Sequence, residues 1–200
     1  MICEEEKADF TNISGNEKIF RLQENVTGVR IVNNKRGTIK METQLEFRYA
    51  ERKDVSLVLY FIKGIAKYEK MEDQVEADEK TLEEWMFDKQ KAECIFACLD
   101  GKEIGFALFF HNFSTFVGRA GLYLEDIFIL PEYRGKGYGK QIFKKLASIA
   151  VERHCGRMEW VCLDWNKPSI EFYTSLGAVP MTGWTTYRLS EDKFRKLAEK

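Results

Sequence analysis

The sequence predicts an α+β protein built on one mixed β-sheet with helices packed against it. Three observations lead to this fold class. Some short segments alternate apolar and polar residues, whereas others repeat apolar residues every 3.6 positions, so strands and helices both occur. These segments follow in the order β-α-α-β-β-β-α-β-α-β, with three consecutive strands at the centre. The chain has 200 residues, 44% hydrophobic and 32% charged, a composition typical of a globular protein with one domain.

The beginning of the chain differs from the rest. Residues 1–43 hold scattered charges and small polar clusters, and no period of 2 or 3.6 is sustained there. Two short apolar alternations, around Phe20 and at 29–32, could form a local hairpin or no regular structure. We therefore expect a poorly ordered extension at 1–43, which could start upstream of the natural start codon, and one folded domain at 44–200.

A strand and two helices are expected next. Residues 44–49 alternate apolar and polar side chains and form the strand. Asp54 is placed to cap a helix that continues through 55–66, where the apolar residues form a stripe. The sequence Thr81-Leu82-Glu83-Glu84 has the form of a capping box and predicts the start of a short second helix.

A hairpin and a third strand form the predicted meander. Two apolar runs, 94–99 and 104–110, are separated by Asp100-Gly101, a dipeptide typical of a two-residue hairpin turn. Another strand is expected at 122–130, and Pro131 ends it.

The last part of the predicted domain alternates helices and strands. A helix is expected at 140–153, with Gly156 placed to end it. A strand at 158–165, a helix at 168–176 and a final strand at 184–189 complete the sheet.

Composition excludes several classes of protein. Thirty-one basic and thirty-two acidic residues give a net charge of −1, which argues against a general nucleic-acid-binding protein. No apolar run is long enough to span a membrane, and the acidic start does not look like a signal peptide. Five cysteines without a C-x-x-C pair favour the reducing cytoplasm, and only two histidines argue against a histidine-rich metal site. We expect a cytoplasmic protein that binds no metal, no nucleic acid and no membrane.

Two segments of opposite charge stand out in this nearly neutral chain. Residues 69–84 contain eight acidic residues and two lysines, and residues 134–145 contain five basic residues and no acidic one. Such runs are often solvated helix faces. Together they are also consistent with one site for a cation and another for an anion.

The basic segment begins with a glycine-rich loop, Arg134-Gly135-Lys136-Gly137-Tyr138-Gly139, between a predicted strand and a predicted helix. Glycines let the backbone approach a ligand closely, and a helix N-terminus presents N–H groups to an anion. The loop therefore predicts a phosphate site, with a flexible turn as the alternative. A dinucleotide-binding fold would place such a loop after an early strand, and a P-loop requires Gly-Lys followed by Ser or Thr.

The pattern Arg134-x-x-Gly137-x-Gly139 after an antiparallel meander resembles the GNAT (GCN5-related) N-acetyltransferase family, over about 44–190. Four further segments resemble its diamine (spermidine/spermine) N-acetyltransferase branch: Ala66-Lys67-Tyr68-Glu69, Tyr123-Leu124-Glu125-Asp126, Tyr133-Arg134-Gly135 and Trp165-Asn166-x-Pro168-Ser169-Ile170-x-Phe172-Tyr173. The resemblance implies the GNAT-type acyl-CoA N-acyltransferase fold, with a mostly antiparallel sheet flanked by helices.

The resemblance also implies acetyl-CoA as co-substrate. In the family, the glycine loop holds the pyrophosphate, backbone N–H groups of the preceding strand meet the thioester, and an asparagine touches the cofactor. The positions that correspond to these contacts are Ile127, Phe128, Ile129, Arg134, Gly135, Lys136, Gly137, Tyr138, Gly139, Lys140 and Asn166.

The catalytic and amine-binding residues follow from the same resemblance. Tyr173 corresponds to the tyrosine that protonates the coenzyme A sulfur, a step that suits a phenol because its pKa lies above that of a thiol. Glu125 corresponds to an amine contact and could accept the amine proton through water. Tyr68 and Glu69 match further substrate contacts. By strand alternation, Asp126 is expected on the opposite face from Glu125 and is interpreted as structural.

We therefore expect acetyl transfer to a primary amine of a small polyamine, diamine or thialysine-like substrate, by direct attack in a ternary complex. A covalent route through Cys162 is disfavoured because no histidine is nearby in sequence. The short loop 179–183 lacks the acidic residues that polyamine enzymes carry there, so thialysine or other short ω-amino compounds suit the sequence as well. The alternatives are a protein or peptide amine as substrate, or a non-catalytic acyl-CoA-binding regulator. The family also implies a homodimer.

Overall fold

The computed structural model describes the backbone of residues 29–33 and 39–199, and the side chains of 44–199. Most of the expected extension at 1–43 lies outside the described residues, as does the alternation around Phe20. Within it, β1 (Val29–Asn33) and β2 (Ile39–Thr43) pair as an antiparallel two-stranded ribbon. The chain divides into two compact units, the first ending at Glu159 and the second beginning at Trp160.

The first unit is built on a five-stranded sheet in the order β3-β4-β5-β6-β7. Its strands are β3 (Glu46–Tyr49), β4 (Glu93–Leu99), β5 (Lys102–Ser114), β6 (Arg119–Ile129) and β7 (Met158–Glu159). Neighbouring strands are antiparallel except for β6 and β7, which are parallel. The predicted mixed, mostly antiparallel sheet with its central meander is therefore confirmed.

The turn between β4 and β5 forms as its dipeptide predicts. Asp100 and Gly101 have φ of 50° and 76°. Two consecutive positive φ values define the tight hairpin turn whose twist matches that of the flanking strands. The turn therefore fixes the register in which Leu99 faces Lys102.

Helices cover the sheet. In α1 (Val55–Glu69), Val58 and Phe61 are fully buried against one face of the sheet. This core cluster also contains Met86, Cys94, Phe96, Cys98, Phe106, Leu108 and Phe128. The α3 helix (Tyr138–Glu152) buries its own apolar stripe. Arg153, the C-cap of this helix, places its guanidinium 5.8 Å from the ring centroid of Phe109. Phe109 alternates with Leu108 along β5, so α3 covers the face opposite to α1. Among the described residues, no helix is both long and apolar enough to cross a membrane.

The second helix begins differently from its prediction. The α2 helix (Glu79–Glu83) is capped by Asp78, whose carboxylate accepts a hydrogen bond from the Thr81 N–H at 2.7 Å. The expected capping box at Thr81 is wrong because Asp78 offers a carboxylate one turn earlier. A π-helical segment, Glu84–Asp88, follows directly.

We expected Gly156 to end α3 in the left-handed conformation, but it does not. His154 takes that role, with φ of 55°. Gly156 is required for a different reason, since a Cβ atom there would lie 2.6 Å from Cγ1 of Val117. Its N–H donates to the carbonyl of Ala120 at 2.8 Å, so it packs closely against the start of β6.

The strand predicted at 158–165 is mostly wrong, because only Met158–Glu159 pairs with β6. The second unit contains the predicted helix as α4 (Lys167–Ser175) and an unpredicted helix, α5 (Glu191–Ala198). The strand predicted at 184–189 is also wrong, since none is present in the described part of this unit.

Candidate active site

The glycine-rich loop lies between the end of β6 and the start of α3, as predicted. Gly135 and Gly137 have φ of 75° and 82°, and neither is crowded, so the backbone conformation is what requires glycine there. The helix begins at Tyr138, two residues earlier than predicted, and Gly137 is its N-cap without a capping side chain. Its first-turn N–H groups therefore have no acceptor within the helix and face the loop.

Basic side chains surround this loop. Lys136 and Lys140 are exposed, and the Lys136 Nζ donates to the carbonyl of Glu132 at 3.1 Å. The side chain of Tyr138 is 7% exposed and belongs to the core, so only its backbone N–H can serve a ligand at the loop. Left-handed glycines, a helix N-terminus and positive charge together suit a pyrophosphate group.

Strand β6 has an open edge directly before the loop. In the described chain, β7 pairs with β6 only at Leu122 and Tyr123. After Tyr123, the backbone N–H and C=O groups of β6 that point away from β5 have no strand partner in the described residues. The N–H of Leu130 donates to Ile104 of β5, which places the N–H groups of Ile129 and Ile127 on the open edge and that of Phe128 towards β5. Three backbone N–H donors were expected, those of residues 127–129. The open edge presents two of them, Ile127 and Ile129.

A β-bulge interrupts β6 at Glu125. Leu108 pairs with Asp126, but the next residue along β5, Phe109, pairs with Leu124, so Glu125 has no opposite residue on β5. The bulge breaks the period of 2 on which the expected alternation of Glu125 and Asp126 rested, so their placement on opposite faces stays a prediction. Asp126 lies on the face of Phe128, which packs against α1. Glu125 is exposed and Asp126 is half-buried.

Carboxylates of α1 and β6 act on one another. Loss of hydration, together with the negative charges of Glu125 and Glu69, raises the pKa of Asp126 to about 6. Burial also raises the pKa of Glu69, which is the last residue of α1. These three carboxylates are called here the acidic group, and a cation beside them would relieve the repulsion between their charges. The sequence analysis interpreted Asp126 as structural and did not group it with Glu125 and Glu69, because a bulge leaves no signal in the local sequence.

Asn166 and Tyr173 belong to the second unit. Asn166 is 6% exposed and caps α4, accepting a hydrogen bond from the Ser169 N–H at 3.4 Å. Tyr173 is half-buried on α4, and its ring lies edge-on to Trp160 with 5.2 Å between the centroids. The predicted cap is confirmed, whereas the catalytic role of Tyr173 stays a prediction.

The cysteines of the sheet are poor nucleophiles. Burial raises the pKa of the Cys94 thiol, and likewise that of Cys98, so neither favours the thiolate form. The half-buried thiol of Cys162 lies 3.7 Å from the carbonyl oxygen of Leu163. Over the described residues, no cluster of three or more His, Cys, Asp or Glu side chains is arranged to hold a metal ion.

The fold and this site define an acyl-CoA-dependent transferase. The sequence profile of the acetyltransferase (GNAT) family matches residues 60–178. The chain belongs to the GNAT family and is an acetyl-CoA-dependent N-acetyltransferase.

Relatives of known name agree with this family. The thialysine N-epsilon-acetyltransferase of Sus scrofa is 35% identical over 168 residues, which cover 76% of this chain and 96% of the relative. The spermidine/spermine N(1)-acetyltransferase-like protein 1 of Homo sapiens is 29% identical over 164 residues, covering 76% of this chain and 24% of that protein. The resemblance to the diamine branch is thus confirmed.

A solved structure has the same fold. An integron cassette protein from the mobile metagenome of V. cholerae superimposes with a TM-score of 0.65 at 28% identity, covering 78% of this chain and 98% of that chain. The predicted GNAT-type fold is therefore confirmed as well.

Proposed function

We propose that this enzyme acetylates a primary amine of a small polyamine, diamine or thialysine-like compound. The observation that carries the proposal is the acidic group, Glu69, Glu125 and Asp126, around the β6 bulge. Carboxylates at this place attract an ammonium group and hold it next to the open edge of β6. The names of the relatives from pig and human support an amine of this class.

The proposed reaction is direct attack of the neutral amine on the acetyl group. Acetyl-CoA supplies an activated thioester carbonyl. The loop from Arg134 to Lys140 would hold the pyrophosphate, and the N–H groups of Ile127 and Ile129 would stabilise the developing oxyanion. Fixed donors of this kind are commonly the largest contribution to catalysis.

Two proton transfers remain to be assigned. We propose that Glu125 accepts the amine proton through a water molecule, since its carboxylate is exposed at the bulge. Tyr173 is proposed to protonate the departing thiolate, and Asn166 to contact the cofactor beyond its capping role. Tyr68 and Glu69, at the end of α1, are proposed as further substrate contacts.

The experiment is a panel of amines with detection of the released thiol. We expect turnover with thialysine, putrescine or spermidine, and a lower kcat/KM for a lysine-containing peptide. The loop 179–183 carries no acidic residue, and thialysine N-epsilon-acetyltransferases are among the relatives, which together favour thialysine over spermidine. Turnover of the peptide alone would replace this proposal with acetylation of a protein amine.

We also propose a cytoplasmic homodimer in which residues 44–200 form the catalytic domain and 1–43 an extension. Multi-angle light scattering at the assay concentration should give about twice the mass of the 23.4 kDa chain. A monomer that retains full turnover would contradict the dimer without affecting the proposed reaction.

A further inference from the structure

Arg134, the first residue of the glycine-rich loop, contacts two aromatic rings from other elements. Its guanidinium carbon lies 4.8 Å from the ring centroid of Tyr68 and 4.9 Å from that of Phe128. The Nε–H of the same side chain donates to the carbonyl of Ile129 at 2.8 Å. Helix α1, strand β6 and the loop therefore meet at one side chain.

Phe128, one of the two rings that Arg134 contacts, is held in place by close packing. Phe128 is 6% exposed, and a Cβ atom on Gly64 of α1 would lie 2.9 Å from Cε1 of its ring. Glycine is disfavoured inside a helix, so its presence there has a packing reason. It allows α1 to approach β6 until Tyr68, one turn further along the helix, lies over Arg134.

The hydrogen bond from Arg134 to Ile129 connects the arginine side chain to the strand whose N–H groups the proposed reaction uses. The carbonyl of Ile129 is on the open edge of β6, on the same side as the N–H of that residue. A long arginine side chain loses much rotamer freedom when it binds a phosphate, and a side chain that is already stacked and hydrogen-bonded loses less.

We propose that Tyr68 is a positioning residue for the phosphate-binding loop, which acts by fixing Arg134 before acetyl-CoA binds. This role rests on the proposed function, since it requires the loop to hold the pyrophosphate. It differs from the role that the family resemblance implies for Tyr68, a contact with the amine. The two roles use different parts of the side chain, because a cation–π contact needs the ring whereas a polar contact with an amine needs the hydroxyl.

Substitutions separate the ring from the hydroxyl. Tyr68→Phe keeps the ring, and Tyr68→Leu removes it. We expect Tyr68→Leu to weaken coenzyme A binding by about three- to tenfold in calorimetry, and Tyr68→Phe to bind within about twofold of the wild type. In kinetics, Tyr68→Leu should raise KM for acetyl-CoA more than KM for the amine. Tyr60→Leu is the matched control, since Tyr60 lies on the same helix and is 56% exposed.

A double-mutant cycle shows whether Tyr68 acts through Arg134. In an Arg134→Met background, Tyr68→Leu should cause no further loss of coenzyme A affinity. Amide hydrogen exchange provides a readout without ligand, in which Tyr68→Leu should speed exchange at residues 135–139 of the free protein and Tyr68→Phe should not.

Three results would overturn the role. Additive losses in the cycle would show that Tyr68 does not act through Arg134. A Tyr68→Phe protein with a raised amine KM and unchanged coenzyme A affinity would return Tyr68 to the amine side. Unchanged exchange at 135–139 in Tyr68→Leu would exclude an effect on the free loop. Failure of the wild-type protein to bind coenzyme A would instead remove the proposed function along with this role.

Discussion

Leu108 of β5 pairs with Asp126 of β6, and this pairing brings a carboxylate onto the sheet face that packs against α1. The bulge at Glu125 makes the pairing possible, because one extra residue shifts the register of β6 relative to β5. The face is apolar around Asp126, so its charge is poorly hydrated, and the neighbouring carboxylates Glu69 and Glu125 add repulsion. A cationic amine would relieve both effects, so under the proposed function the carboxylate that destabilises the free protein would favour binding of the amine.

Replacing Asp126 with asparagine should stabilise the free protein at high pH. The pKa of Asp126 rises from 3.8 to about 6 on folding, so the folded chain holds a proton that the unfolded chain has lost between these values. The stability that this proton provides is present below pH 4 and is lost as the pH rises through 6. Asp126→Asn should therefore raise the free energy of unfolding by about 1–3 kcal/mol at pH 8 and have little effect at pH 4.

Denaturant unfolding across this pH range checks the Asp126→Asn prediction, with the exposed Asp73→Asn as control. The same asparagine variant should raise KM for the amine, since the acidic group loses a charge. An equal change in stability at pH 4 and pH 8 would show that the carboxylate is hydrated in the folded protein.

Tyr173→Phe should reduce kcat by about 10²- to 10⁴-fold while coenzyme A binding is retained. The phenylalanine ring keeps the contact with Trp160, so the variant removes only the hydroxyl group and its proton. Stopped-assay thiol release and calorimetry measure the two quantities separately. Tyr187→Phe serves as control because that side chain is 91% exposed. A Tyr173→Phe enzyme with wild-type kcat would assign the proton transfer to another group.

Gly137→Ala should weaken coenzyme A binding by up to about tenfold, since a left-handed conformation costs an alanine about 1–2 kcal/mol and the helix N-terminus would shift to relieve it. Gly101→Ala is the matched control, because Gly101 has φ of 76° and is equally uncrowded but lies in the β4–β5 turn. Both variants should lose stability in thermal unfolding, whereas only Gly137→Ala should lose coenzyme A affinity in calorimetry. Equal affinities would contradict the proposed phosphate site.

Arg48→Met should destabilise the first unit by about 1–3 kcal/mol at pH 7. Its guanidinium binds the carboxylate of Asp54 at 2.6 and 3.0 Å and that of Glu103 at 2.8 and 3.0 Å, which joins β3, the start of α1 and β5. Hydrogen bonds from Arg48 lower the pKa of Asp54 and likewise that of Glu103. Lowered carboxyl pKa values stabilise the fold above the ordinary pKa near 4 and lose that effect as the pH falls.

The acid dependence distinguishes this network from simple packing. Urea unfolding should show that the difference between wild type and Arg48→Met is largest at pH 7 and shrinks below pH 4. Arg52→Met is the control, since Arg52 also binds two carboxylates, those of Glu83 and Asp88, but is exposed. It should change stability much less. A pH-independent loss in Arg48→Met would assign the effect to packing against Phe96, over which the guanidinium lies.

Local sequence patterns predicted much of the fold. The Asp100-Gly101 turn, the stripe of α1 and the glycine-rich loop before α3 all formed where they were expected, because turn chemistry and side-chain periodicity act over a few residues. The unpredicted α5 also had a local signal, a serine N-cap at Ser190 followed by acidic residues in the first turn.

Strand pairing was decided only by the tertiary structure. The segments 160–165 and 184–189 were predicted as strands, yet a strand exists only where a neighbouring strand accepts its hydrogen bonds. The bulge at Glu125 has the same origin, since register is set by a partner that is distant in sequence.

The sequence by itself thus determined the order of the elements from β3 to α3 and the loop that identifies the family. Only the tertiary structure decided that Asp126 joins Glu69 and Glu125, and that Tyr68 of α1 lies over Arg134 of the loop. Both relationships depend on how closely α1 packs on β6, and the contact of Gly64 with Phe128 sets that approach. Such packing is a property of two surfaces together, and neither segment encodes it alone.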